Sequence, residues 1–539
     1  MRKEHEDAIR SEVISRVFDG RLAEARRPSG RPLSEVINET LYHERERLRQ
    51  NGGSHQPDVE KAFYGKIRRA LPKANVAREK ELLRSILERY VEEITGHFSP
   101  AVYGVATRAL PIALTGMLSG LSPLKMATKL GRLPSIEDRI VVQGEVELLR
   151  KLDGQGTLVF APTHSSNLDS VVMGYTIYRL GLPPVTYGAG LNLFSNPVIG
   201  FFMRNLGAYT VDRRKTDPLY RELLKEYAGV TLEFGNNNLF FPGGTRCRSN
   251  LVERNLKKGL LGTTVSAYLH NLKNGKARPR IYVIPCNISY PLVLEASTLI
   301  NDHFQQAGRS RYIIEDDEFS QLRRWFDFLK GLMGLEQRIV VSVGQPMDPF
   351  GNRVDERGDS RDPKGRLVDP SRYLMVDGRY ELDPVRDAEY TRDLANRVAE
   401  EFLSNNVIFS THLLALSMLH LLRARTPEMD LYRFLRTVTP ETSLEQREVE
   451  QHLGNLLQRL RLLAGEGRVR LDEVLTTGDV RAILRDGLRS FGTYHTIPVV
   501  RRQGIRLHAG DANLIVYYAN RLHGYGLETL AAPARRESE

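Results

Sequence analysis

Thr157-Leu-Val-Phe-Ala-Pro-Thr-His-Ser-Ser-Asn-Leu-Asp-Ser170 sets three kinds of residue in a fixed order. Leu158, Val159 and Phe160 make a short, continuous apolar run, the pattern of a strand buried on both faces. Thr163, Ser165, Ser166 and Asn167 are turn and N-cap formers, so the chain is expected to leave the strand, turn, and enter a helix that contains Asp169. The same texture returns at Asn238-Leu-Phe-Phe-Pro242, Arg280-Ile-Tyr-Val-Ile-Pro285 and Arg338-Ile-Val-Val-Ser-Val-Gly344, with helix-length segments between. Short apolar strands spaced by helices define an α/β fold around a central sheet.

Outward from this core, residues 1–139 read as a helical N-terminal region, broken at Arg27-Pro-Ser-Gly-Arg-Pro32 and at Asn51-Gly-Gly-Ser-His-Gln-Pro57. Its uncharged run at 109–124 is shorter than the roughly 20 apolar residues a membrane span needs, and it holds Pro111 and Pro123. Arg108, Lys125, Lys129 and Arg132 flank it, so the stretch 109–132 suits an interfacial segment with its cations at lipid headgroups. A buried helix pair broken by proline fits the same residues. Residues 140–350 carry the α/β pattern, 351–384 form a loop-rich insertion dense in Gly, Pro, Asp and Arg, and 385–539 read as mostly helical. The segment 405–422 is apolar nearly all round and is expected to be a core helix rather than a membrane-contacting one. After about residue 490 strand-like alternation returns.

With 539 residues, 41% hydrophobic and 27% charged, the chain can bury a large core, and disorder is not expected. A formal charge of +11 gives a surface that draws anions: lipid headgroups, phosphorylated metabolites, coenzyme A or nucleic acid. The basic residues are scattered without a dense run or aromatic interleaving, which argues against a nucleic-acid partner. Cys247 and Cys286 have neither metal-ligand spacing nor a disulfide framework, so no metal and a reducing compartment are expected. The N-terminal residues carry charges throughout and lack an apolar core, so a secretory signal is not expected.

His164 and Asp169 stand five apart. With 13 histidines in the chain, about one such spacing arises by chance, so the pair draws its value from its place after a strand. Five residues on a regular helix are about 140° apart, so the two side chains meet only if His164 lies in a turn ahead of the helix. There the carboxylate can accept the Nδ1 proton and leave Nε2 as a base aimed at a substrate hydroxyl. A histidine that merely caps the helix fits the same residues. Without a GxSxG elbow, direct attack by an acceptor hydroxyl is favoured over an acyl-enzyme.

Leu206-Gly-Ala-Tyr-Thr-Val-Asp-Arg-Arg-Lys215 is a strand-like run ending at Arg213 and Arg214, whose guanidinium forks suit a phosphate or, equally, open solvent. Phe240-Phe-Pro-Gly-Gly-Thr-Arg-Cys-Arg-Ser249 makes a tight turn whose amides can approach an anion, with Arg246 and Arg248 adding charge and Lys257 and Lys258 opening the next helix. An ordinary glycine turn reads the same way. Val283-Ile-Pro-Cys-Asn-Ile-Ser-Tyr290 is a buried strand ended by Pro285.

In this order and at these separations the four segments resemble the sequence blocks of the glycerolipid acyltransferase superfamily. The likeness is closest to the bacterial glycerol-3-phosphate acyltransferases and their dihydroxyacetone-phosphate relatives. His164 and Asp169 fit the His-x4-Asp block, and Gly207 to Arg213 resembles Gly-x-x-Phe-Ile-x-Arg with Val211 for Ile. Phe241 to Arg246 is similar to Phe-Pro-Glu-Gly-Thr-Arg, and the Pro285 segment resembles the fourth block. The segment 405–422 and Tyr517-Tyr-Ala-Asn-Arg-Leu-His523 are more weakly similar to the C-terminal part of that family.

The resemblance implies a mixed central sheet flanked by helices, and an enzyme that moves a fatty acyl group from acyl-CoA or acyl-carrier protein to the sn-1 hydroxyl of glycerol 3-phosphate, giving lysophosphatidic acid. It implies a peripheral protein on the cytoplasmic face of a membrane, without metal or cofactor. By it, His164 is the general base and Asp169 its orienting partner. Arg213, Arg246 and Lys257 hold the acceptor phosphate, Gly244 and Thr245 shape the loop, and Arg214, Arg248 and Pro285 complete the substrate-binding set. In one departure, Gly243 stands where most members carry Glu, which removes a carboxylate from the acceptor pocket. A lysophospholipid or another alcohol is therefore an alternative acceptor. A non-catalytic basic protein of the membrane surface or of nucleic acid is the alternative from another class.

Overall fold

The structure, a computed structural model, describes residues 3–50, 57–108, 139–194, 197–308, 338–492, 495 and 497–527. The stretch 109–132, read above as interfacial, lies outside them.

Four helices come first: α1 (Lys3–Ala25), α2 (Leu33–Gln50), α3 (Pro57–Ala70) and α4 (Val76–Ile94). Local chemistry sets their limits. At Gly30 a Cβ would stand 1.7 Å from the Glu24 carbonyl oxygen, so only glycine lets the chain double back between α1 and α2. The Asn75 side chain caps α4 by accepting from the Arg78 N–H at 2.9 Å.

The central sheet is built from β1 (Ile140–Gly144), β2 (Thr157–Pro162), β3 (Thr186–Gly190), β4 (Ala208–Val211), β5 (Asn238–Leu239), β6 (Ile281–Ser289) and β7 (Ile339–Val343). Their spatial order is β1-β7-β6-β2-β5-β3-β4. Neighbours run parallel except β6 and β7, so the sheet is mixed. Between the strands lie α5 (Val146–Leu152), α6 (Asp169–Arg179), α7 (Pro197–Asn205), α8 (Pro218–Glu233), α9 (Lys258–Lys273) and α10 (Ala296–Gly308). Beyond a set of two-residue ladders within 353–380 come α11 (Pro384–Ser404), α12 (Ser410–Ala424), α13 (Leu431–Thr437), α14 (Gln446–Gly465), α15 (Glu473–Thr477) and α16 (Val480–Phe491). A hairpin of 500–503 and 506–509 then leads to α17 (Ala512–Ala519).

Every residue of β2 and β6 is buried, which is why their sequences are continuous apolar runs. Leu158 and Phe160 enter the layer that holds Val172 of α6 and Leu413 of α12, while Val159 and Ala161 enter the layer with Leu232 of α8, Leu261 of α9 and Leu394 of α11. The N-terminal helices share a third core with α8, where Val13, Leu83 and Tyr90 pack with Tyr209, Leu223, Tyr227 and Val230. Helix α12 is buried through residues 410–418 among α14, α16 and α17. Among the described residues no helix is long and apolar enough to cross a membrane.

The reading that Pro285 ends its strand is corrected: β6 runs through Pro285 to Ser289. Val283 exchanges both backbone bonds with Met347, and Gly344 N–H donates to the Pro285 carbonyl at 2.8 Å. The donor that proline lacks thus falls where the facing chain bends between 344 and 347, so no ladder bond is lost.

Candidate active site

Strands β6, β2, β5, β3 and β4 are parallel, so their carboxyl ends open on one edge of the sheet, where α/β folds gather their ligands. The turn after β2 carries His164, and the adjacent turn after β5 carries Gly243 to Arg248. Two backbone contacts anchor the first turn to β6: Thr163 N–H donates to the Cys286 carbonyl at 2.9 Å, and Ile288 N–H donates to the Thr163 hydroxyl at 3.0 Å.

His164 lies in the turn and Asp169 opens α6, and His164 Nδ1 is 2.8 Å from Asp169 Oδ2. The same oxygen accepts the backbone N–H groups of Ser165 at 2.7 Å and Ser166 at 2.9 Å, and Tyr290 donates its hydroxyl to Oδ1 at 2.6 Å. Asp169 is fully buried, and a carboxylate held by these three donors can only accept from the ring. Nδ1 therefore carries the proton and Nε2 the lone pair, and Nε2 has no partner among the described residues. The imidazole stacks on Phe241, centroids 4.2 Å apart and planes at 22°, which fixes its tilt. Burial beside Asp169 pushes the Tyr290 phenol well above its usual range, so it stays a donor.

A second buried carboxyl braces the same turn. Glu295 accepts from the Ser166 hydroxyl at 3.0 Å and the Asn167 N–H at 2.8 Å, and Arg246 Nη1 stands 4.0 Å from its Oε1. Desolvation raises the Glu295 pKa against the pull of these partners. Arg248 makes a similarly loose pair with Asp302 of α10, 3.9 Å. The glycine turn closes on a Gly244 N–H to Phe241 carbonyl bond of 3.0 Å, with Gly244 at φ +79°, and Thr245 is exposed on it. Lys257 N–H donates to the Pro242 carbonyl at 2.7 Å, and a Cβ at Gly244 would come within 3.0 Å of the Lys257 Cγ, so that side chain lies across the turn. Lys258 begins α9 and is exposed.

The structure thus gathers His164, Asp169, Gly244, Thr245, Arg246 and Lys257 at the neighbouring ends of β2 and β5. Arg213 and Arg214 follow β4, three strand spacings from β2, or about 14 Å. Arg213 is exposed there and Arg214 turns its Nε to Asp212 at 3.2 Å. Pro285 is buried inside β6, paired in register with Ala161.

The expectation that Gly243 leaves the pocket without a carboxylate is corrected. A Cβ at position 243 would stand 2.0 Å from Glu253 Oε1, so the space is taken by a carboxyl that arrives from further along the chain. Glu253 Oε2 also accepts the His164 main-chain N–H at 3.3 Å. Desolvation, reinforced by the charge of Asp169, pushes its pKa up to about 8. Glu253, Glu295 and Tyr290 were not singled out from the sequence; only Tyr290 had a signal, as the last residue of its block. Arg521 was also missed: it is buried, its Nε donates to Asn406 Oδ1 at 2.7 Å, and its Nη2 has no partner among the described residues.

Comparison with known proteins covers the same part of the chain. An acyltransferase family model matches residues 139–289, the part of the chain that holds the strand ends and turns just described. By this match the α/β part is similar to the acyltransferases. The particular relatives are bacterial glycerol-3-phosphate acyltransferases. One from Pseudomonas fluorescens Pf-5 is 27% identical over 327 residues, covering 58% of this chain and 35% of the relative. One from Pseudomonas fluorescens Pf0-1 is 26% identical over 424 residues, covering 76% and 44%. One from Ectopseudomonas mendocina is 30% identical over 206 residues, covering 38% and 23%. The chain therefore spans less than half the length of these relatives.

Proposed function

We propose that this protein transfers a fatty acyl group from an acyl-CoA or acyl-carrier-protein thioester to the sn-1 hydroxyl of glycerol 3-phosphate, releasing lysophosphatidic acid and the free thiol. The observation that carries the reading is the 2.8 Å contact between His164 Nδ1 and an Asp169 already saturated by amide and phenol donors. It leaves Nε2 as the base. In this mechanism Nε2 takes the acceptor hydroxyl proton as the oxygen attacks the thioester carbonyl, and Asp169 stabilises the imidazolium that forms. Collapse of the tetrahedral adduct breaks the C–S bond, and the leaving thiolate takes the proton back from His164. Written this way the step needs no metal or redox cofactor.

Arg246 and Lys257, on the turn beside His164, are the cations assigned to the acceptor phosphate, with Gly244 and Thr245 shaping the loop beside it. Arg213 and Arg214, about 14 Å along the sheet edge, would reach only the far end of an extended acceptor or donor. The chemistry is assigned to residues 140–350, with 1–139, 351–384 and 385–539 as flanking regions. A peripheral site on the cytoplasmic face of a membrane suits the +11 charge and the exposed Phe201 and Phe202 of α7.

The test is product analysis with purified protein, labelled acyl-CoA or acyl-carrier protein and glycerol 3-phosphate. Acylation at the sn-1 position is expected, and His164→Ala should lower kcat by about 10³-fold or more without loss of fold. A fully active alanine variant would end the mechanism, and a clear preference for a lysophospholipid acceptor would end the choice of acceptor.

A further inference from the structure

We propose that Glu253 is a positioning residue of this site, supplying beside His164 the carboxyl group that a side chain at position 243 would otherwise place there. The proposal rests on the acyl-transfer reading and deepens it. Its first support is steric. A Cβ at 243 would fall 2.0 Å from Glu253 Oε1 and 2.6 Å from its Cδ, so a larger residue there requires the Glu253 carboxyl to swing out of its place. Position 243 and the Glu253 carboxyl therefore compete for one volume, and glycine at the first leaves that volume to the second.

The second support is the hydrogen bond. Glu253 Oε2 receives the main-chain N–H of His164 at 3.3 Å, while the His164 carbonyl receives the Cys247 N–H at 2.7 Å. Together these tie both peptide groups of the base to the segment between β5 and α9. Glu253 is the only one of the two ties made by a side chain, and so the only one a point substitution can remove. The ring is set by Phe241 and Asp169, and the Glu253 tie sets the main chain that carries it.

The groups whose charges act on Glu253 are Asp169 and Arg521, with His164 in direct contact and Lys257 across the adjacent Gly244. With its pKa near 8 the group is largely a neutral acid at pH 7, so it can hold the His164 peptide without placing a second full charge beside Asp169.

A four-variant cycle tests this. Glu253→Ala should lower kcat at least tenfold while the acceptor KM moves less than threefold. Glu253→Gln, which keeps the shape and an acceptor for the His164 N–H, should retain at least half of kcat at pH 7. Gly243→Glu alone should lose about 100-fold through collision with Glu253. Gly243→Glu combined with Glu253→Gly, which moves the carboxyl to its alternative origin, should recover at least tenfold over Gly243→Glu.

A folded Glu253→Ala protein with wild-type kcat, or a swap variant no better than Gly243→Glu, overturns the proposal. Wild-type protein without any thioester-dependent acylation would instead overturn the functional reading. The carboxyl placement is then read from unfolding. Ionising the enclosed Glu253 costs the folded state more as pH rises from about 4.5 through about 8, so Glu253→Gln should gain melting temperature over wild type at pH 9 and much less at pH 5. An equal gain at both pH values overturns the placement.

Discussion

Two carboxyl groups touch His164, one through the ring and one through the main chain, and their surroundings differ. Asp169 accepts four hydrogen bonds, from the ring, two backbone amides and a phenol. Glu253 accepts one long bond and sits where desolvation favours its protonated form. Identical chemistry in two settings thus yields a fixed counter-charge on one side and a neutral brace on the other. A base that must gain and lose a proton needs the first within contact and would be hindered by a second full charge close by.

The largest expected effect isolates that counter-charge. In Asp169→Asn the amide oxygen can stay toward Ser165, Ser166 and the ring while the amide nitrogen turns to Tyr290, whose hydroxyl can accept as well as donate. The variant should keep its fold and lose about 10²- to 10³-fold in kcat, because the developing imidazolium loses its partner. Steady-state kinetics and a melting curve check it. If Asp169→Asn and Glu253→Gln lower kcat equally, the two carboxyls do not have different tasks and the contrast fails.

Arg246→Ala sharpens the comparison from the acceptor side. Arg246 lies on the turn beside His164 with its Nη1 4.0 Å from Glu295 Oε1, and it is a cation assigned to the acceptor phosphate. An increase of about tenfold in the acceptor KM with kcat changed far less is expected, since a phosphate clamp contributes equally to ground and transition states. A selective fall in kcat would move Arg246 into the chemistry.

What could be read from the sequence alone follows from which contacts are local. The strands at 157–162 and 281–289 declare themselves as apolar runs because both faces are buried. The meeting of His164 with Asp169 was legible because turn formers at 163–167 leave few ways to join a strand to a helix. Glu253 and Glu295 were not legible: each lies in a segment without motif character, and each reaches the turn through loop paths that only tertiary packing sets. Pro285 misled for a related reason, since a proline ends a strand only where its missing donor is needed, and the bend of the facing chain at 344–347 is invisible from residue 285. Arg213 and Arg214 read as phosphate binders by type, but their distance from His164 depends on the strand order, which spacing along the chain does not encode.

A smaller effect belongs to Tyr290. Replacing it with Phe removes one of the donors on Asp169 and leaves Oδ1 buried without a partner, which costs about 1–3 kcal/mol of stability. Activity should fall severalfold rather than by orders of magnitude, because the ring contact to Oδ2 and both amide bonds remain. A loss matching that of Asp169→Asn would show that the phenol, more than the amides, holds the Asp169 carboxylate against the ring.

The smallest effect tests desolvation where no chemistry is at stake. The burial that raises Glu253 should lower a buried base, and His452 of α14 is that case: it is 1% exposed, its Nε2 lies 3.1 Å from His420 Nδ1, and desolvation with the nearby His420 lowers its pKa to about 4. The unfolded chain takes up a proton here near pH 6.5 and the folded chain only near 4. The neutral ring's contribution is therefore complete above pH 6.5 and is lost as pH falls toward 4, the opposite sense to Glu253. At pH 5 the difference is on the order of 1–2 kcal/mol. Measured against His452→Asn, wild-type protein should lose relative melting temperature steadily between pH 7 and pH 4.5. A constant difference across that range would mean that burial does not shift His452, and would withdraw the same support from the neutral acid inferred at Glu253.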